Sequence, residues 1–90
     1  MGQHWESGTP VNLAASGIVS KVPGTIVGFY VNSTTTGTIV LRDGGAAGTV
    51  ISGTITPAIG WHRFPAYCVN GCYATIGGAA LDVTVHFAAG

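Results

Sequence analysis

The chain has 90 residues, enough for one domain with a small core. It carries three cationic and three acidic side chains, 7% of its residues, with no net charge, whereas 47% of residues are apolar and 15 are glycine; soluble proteins average about 25% charged. Three cations cannot neutralise a run of phosphates, which argues against nucleic acid and against an electrostatic membrane anchor, and no apolar run reaches the ~18 residues of a spanning helix. A surface so poor in charge tends to associate, so much of it is expected to be covered by other protein chains.

The opening MGQHWESGTP has neither a basic start nor an apolar stretch of signal-peptide type, so the chain is expected to be made in the cytoplasm. Residues 1–16 are small, polar and turn-rich and read as an extended arm or a first edge strand, with His4 and Trp5 near its tip. Because Trp is enriched at interfaces, Trp5, with Val11 and Leu13, is the candidate for contact with a neighbouring subunit or shell.

Residues 17–90 read as one all-β domain. Helical periodicity is broken everywhere by Gly or Pro, whereas strand signals recur at 17–22, 25–32, 37–42, 48–56, 61–68, 72–76 and 81–87. The clearest is LDVTVHF, where Leu81, Val83, Val85 and Phe87 alternate with Asp82, Thr84 and His86; period two sends the first set inward and the second outward. Pro23-Gly24 fits a type II turn with positive φ at the glycine, Asp43-Gly44-Gly45 fits a hairpin turn, and Pro65 restricts its strand to an edge or a bulge. About seven short strands with this punctuation predict an antiparallel β-sandwich.

The only two cysteines, Cys68 and Cys72, flank Val69-Asn70-Gly71. A three-residue loop with Gly71 at positive φ would close a hairpin and set the cysteines opposite each other. A disulfide is the less favoured alternative, because relaxed S–S torsions are hard to reach there and no secretion signal is present. Zinc would need His62 and His86 to converge on the pair, and a redox dithiol would want CxxC at a helix N-terminus. Neither is expected, nor is any cofactor.

Catalysis has little to stand on: the three carboxylates lie in an arm, a turn and a strand face, and no GxSxG elbow is present. The run WHRFPAY gathers Trp61, His62, Arg63, Phe64 and Tyr67. It reads either as core filling at one end of the sandwich or as an aromatic contact surface with a cation. Trp61, Arg63 and Phe64 are the candidates for a second contact edge, and Trp61 with Tyr67 for a shallow sugar site.

Between Thr25 and Phe87 three segments, GFYVNSTTTGTIVLRDGGAAGTVISGTITPA, FPAYCVNGCYATIGG and LDVTVHF, resemble the small all-β virion proteins of tailed bacteriophages. The resemblance covers roughly two-thirds of the chain and leaves out the arm; the cysteines are not part of its pattern. It implies a jelly-roll-like sandwich without catalysis that assembles as a homotrimer or larger set against the major capsid protein. The expected role is capsid decoration (cement) on the virion exterior, and the alternative is a host-recognition or glycan-binding module of a tail or fibre.

Overall fold

The computed structural model describes residues 9–89, which form eight strands in two four-stranded antiparallel sheets. The strands are β1 (Thr9–Leu13), β2 (Gly17–Ser20), β3 (Gly24–Thr34), β4 (Gly37–Asp43), β5 (Thr49–Val50), β6 (Gly60–Cys68), β7 (Cys72–Gly78) and β8 (Leu81–Ala89). One sheet has the order β1-β8-β3-β6 and the other β2-β7-β4-β5. β1 pairs with β8, β2 with β7, β3 with β6 and β4 with β5. The chain is thus a long hairpin with its tip between β4 and β5, and successive rungs fall alternately in the two sheets.

Alternation builds the core. In β8, Leu81, Val83, Val85 and Phe87 are buried and the residues between them are partly exposed. They meet Ile26, Phe29 and Val31 of β3 and, from the other sheet, Val19 of β2, Ile39 and Leu41 of β4 and Ala74 of β7 in one apolar cluster. Both sheets therefore share a single core, the arrangement by which two half-apolar sheets shield each other from water.

Several expectations are corrected. There are eight strands, not seven, because Thr9–Leu13 forms an edge strand of the first sheet, the second of the two readings of residues 1–16. Val11 and Leu13, offered as neighbour contacts, are partly buried and pack against the core. The strand expected at 48–56, with a bulge or bend at Gly53, is regular only at Thr49–Val50; Ile51 and Ser52 still donate to the Leu41 carbonyl, and the bend falls at Gly53, which has positive φ. The chain returns only at the bridge between Ile39 and Ile55. Gly24 has no positive φ; it opens β3, where a Cβ would meet Phe87 and the Ala88 carbonyl. Pro65 does sit on an edge strand and at a bulge, where Phe64 and Pro65 together oppose Val27.

CVNGC is not a hairpin. Cys68 ends β6 in one sheet and Cys72 begins β7 in the other, so the three residues between them cross from sheet to sheet. Gly71 takes the expected positive φ of 93°. The reason for the crossover lies outside the pentapeptide: Asp43 accepts hydrogen bonds from the backbone N–H groups of Val69 (3.1 Å) and Asn70 (2.8 Å), and the Gly44 N–H donates to the Gly71 carbonyl.

Candidate functional site: the outward face of the first sheet

Along edge strand β6 every odd-numbered side chain faces out and every even one faces in. Extended by one residue at each end, the outward series is Ile59, Trp61, Arg63, Pro65, Tyr67 and Val69, with exposures of 63, 46, 55 and 60% for Ile59, Trp61, Tyr67 and Val69. At about 3.3 Å per residue the part of this stripe on β6, Trp61 to Tyr67, runs roughly 20 Å, with Ile59 just before the strand and Val69 in the crossover after it. It contains one charge, Arg63, and is rich in the residue types that interfaces favour.

Of the residues expected on the second contact edge, Trp61 and Arg63 lie on this stripe. Phe64 does not: it takes the inward side of β6 and packs against the core, because the alternation that exposes Trp61 and Arg63 turns it under. Trp5 lies outside the described residues. Trp61 and Tyr67 share the stripe but stand six residues apart, roughly 20 Å, so they do not form one small site. The aromatic neighbour of Trp61 is Tyr30, its register partner on β3, which is 43% exposed. The sequence reading had not singled out Tyr30, although its place in GFYVN, between the apolar Phe29 and Val31, carries the alternation that exposes it.

Trp61 is held in place from below. A Cβ at Gly28 would come within 2.8 Å of its Cζ2 atom, so the indole lies directly on the glycine, and its edge meets the His86 ring with centroids 5.2 Å apart at 88°. The inward neighbour His62 stacks on Phe29 and bonds through Nε2 to the Ala58 carbonyl at 2.7 Å. A ring fixed on both sides loses little freedom when covered, which suits a contact residue.

The β1–β8–β3 half of the same face is polar. Asp82 Oδ1 accepts from the amides of Asn12 (2.7 Å) and Asn32 (3.4 Å), and both amides also donate to Thr84 Oγ1. Asp82 thus faces outward as its strand pattern predicts, and its charge is spread over two amide donors. Arg63 has no hydrogen bond or ion pair with any described residue. The remaining described acid and one of the cations are tied to structure: Asp43 to the crossover, and Arg42 through Nε to Thr75 Oγ1 and through Nη1 to the Gly48 carbonyl.

The cysteines belong to the core and not to this face. Both are fully buried with free thiols. Burial pushes both thiols above their ordinary value, with the neighbouring Cys68 at Cys72 and the Asp43 carboxylate at both adding to it. A protonated, buried thiol is a poor nucleophile. Among the described residues no group of three or more His, Cys, Asp or Glu side chains could hold a metal ion. Comparison of the chain with family models, curated proteins and solved structures returns no match.

Proposed function

We propose that the protein is a non-enzymatic virion protein of a tailed bacteriophage that decorates the capsid exterior, contacting major capsid protein subunits and further copies of itself. The observation that carries this reading is the rigid, nearly uncharged stripe from Ile59 to Val69. It has the composition of an interface core, and it would be a liability on a protein meant to stay uncovered. A strand order whose rungs pair first with last, second with seventh and so on supports reading the two sheets as a jelly-roll sandwich, the architecture the resemblance implies and one recurrent in capsid proteins.

The mechanism is passive. Several contacts of about 800 Å² each, made by one small rigid body, join neighbouring subunits without any single strong site. The test is a copy count: particles purified from a lysate that produces this chain should carry it in hundreds of copies by quantitative mass spectrometry, and Trp61→Ala should lower that occupancy. Particles without the chain overturn the reading. A dozen copies would favour the alternative, a tail or fibre module that binds glycans, for which Tyr30 beside the Asn12, Asn32 and Asp82 side chains offers a ring face next to hydroxyl-binding groups.

A further inference from the structure

The two charged side chains of the described residues on the outward face of the first sheet, Arg63 and Asp82, are placed as halves of a self-complementary contact. Arg63 on β6 lies opposite Gly28 of β3, and Asp82 on β8 lies opposite Ser33 of β3. β6 and β8 flank β3 on its two sides, so the midpoint between the charges falls on β3 between residues 28 and 33, where Tyr30 is the outward side chain nearest the centre and Asn32 the next. Strand spacing and rise put the two backbone positions roughly 15–20 Å apart, beyond the screening length of about 8 Å, and Arg63 finds no partner within the described chain.

From this we infer that a second copy of the chain packs face to face on this sheet about a two-fold axis at Tyr30. An axis lying in the contact plane, through the midpoint and across the line joining the charges, brings Arg63 of each copy to Asp82 of the other. Tyr30 then meets its own copy at the centre, Trp61 lies beside it, and the two ion pairs sit towards the rim. This rests on reading the β6 face as a contact surface, and it assigns a two-fold unit where the phage resemblance implies threefold sets.

Adding a strand at the β6 edge, one of the four sheet edges, is disfavoured, because Pro65 lacks an N–H and the bulge beside it breaks the ladder. The size is sufficient. The two longer extents of the molecule, 37 and 27 Å, bound a face on the order of 1,000 Å², against about 800 Å² per partner for a standard interface. Opposite charges at matched positions also select against a parallel stacking that would set Arg63 on Arg63.

The test is sedimentation velocity on the full chain over a concentration series, with circular dichroism to confirm that each variant is folded. Wild type should dimerise. Arg63→Asp and Asp82→Arg should each weaken the dimer about tenfold or more, and the double variant should recover most of the loss. A wild-type monomer at about 100 μM, well above common interface affinities, or a double variant no better than the singles, overturns the proposal.

Should Asp82→Arg fail to fold, Tyr30→Cys supplies the readout. With oxidised glutathione, two such thiols on one axis should form one intermolecular disulfide while the glutathione disulfide is reduced to two thiols. Ile18→Cys, exposed on the other sheet, should not cross-link; equal cross-linking of both overturns the proposal. A monomer that still coats particles would overturn this inference alone, and a dimer absent from every particle would overturn the decoration reading alone.

Discussion

The indole of Trp61 rests on the backbone of Gly28, so closely that a Cβ there would stand 2.8 Å from Cζ2 and 2.9 Å from Cη2 of the ring, and 2.5 Å from the His62 carbonyl oxygen. The exposed face of the first sheet is therefore built around a missing side chain. A ring can swing aside, but a strand carbonyl cannot move without disturbing the ladder on β6.

Gly28→Ala is expected to lift Trp61 and strain the β3–β6 pairing, lowering stability by about 1–3 kcal/mol. Urea unfolding measures it. A change inside about 0.5 kcal/mol, the range of an ordinary surface substitution, would mean that the contact gives way freely.

Asp43 ties the tip of β4 to the crossover between sheets through its two bonds to the Val69 and Asn70 N–H groups. Asp43→Ala leaves both donors without their carboxylate and should cost about 2–3 kcal/mol, since hydrogen bonds to a charged group are worth more than neutral ones. The crossover should then open more often, so Cys68 and Cys72 should react faster with a thiol reagent under native conditions. Unchanged labelling rates would show that the loop is held by its apolar flanks alone.

The thiols make stability depend on alkaline pH. Both are raised above the ordinary value of 9.0, foremost by burial. Above that value the unfolded chain releases protons that the folded chain keeps, so the thiols' contribution is fully present below pH 9 and declines as pH rises beyond it. The slope is at most about 1.4 kcal/mol per pH unit per thiol. Urea midpoints at pH 8, 9 and 10 should fall more steeply for wild type than for a Cys68→Ala/Cys72→Ala double variant. Parallel slopes would contradict it.

Removing residues 1–13 should destabilise the domain sharply, because it strips β1 from β8 and takes Val11 and Leu13 off the core. Leu13→Ala should cost up to about 2 kcal/mol, below a fully buried leucine because the side chain is only partly covered. Thermal unfolding distinguishes this from an arm that serves only a neighbour, whose loss would leave the midpoint unchanged.

Strand alternation was legible wherever the residues themselves alternate. LDVTVHF shows its two faces in its spelling, and the structure buries Leu81, Val83, Val85 and Phe87 as read. The edge position of β6 was legible through Pro65, since a residue without an N–H cannot sit between two strands. In WHRFPAY both readings hold in part: period two turns Phe64 under, as core filling requires, and leaves Trp61 and Arg63 outward. The core contacts of Val11 and Leu13 were not legible, because a five-residue strand has too few residues to declare a period.

Composition and periodicity were thus enough for an all-β chain with little charge and for which residues of its clearest strands turn inward, because those properties depend on neighbours in sequence and on a repeat of two. They could not say that CVNGC crosses between sheets, that Trp61 covers Gly28, or that Arg63 and Asp82 stand on either side of Tyr30. Those relations join residues far apart along the chain. They follow from strand order, and from bulges at Val27 and Asn32 that reset register by one residue, which are settled by cross-strand packing once the two sheets have closed on their shared core.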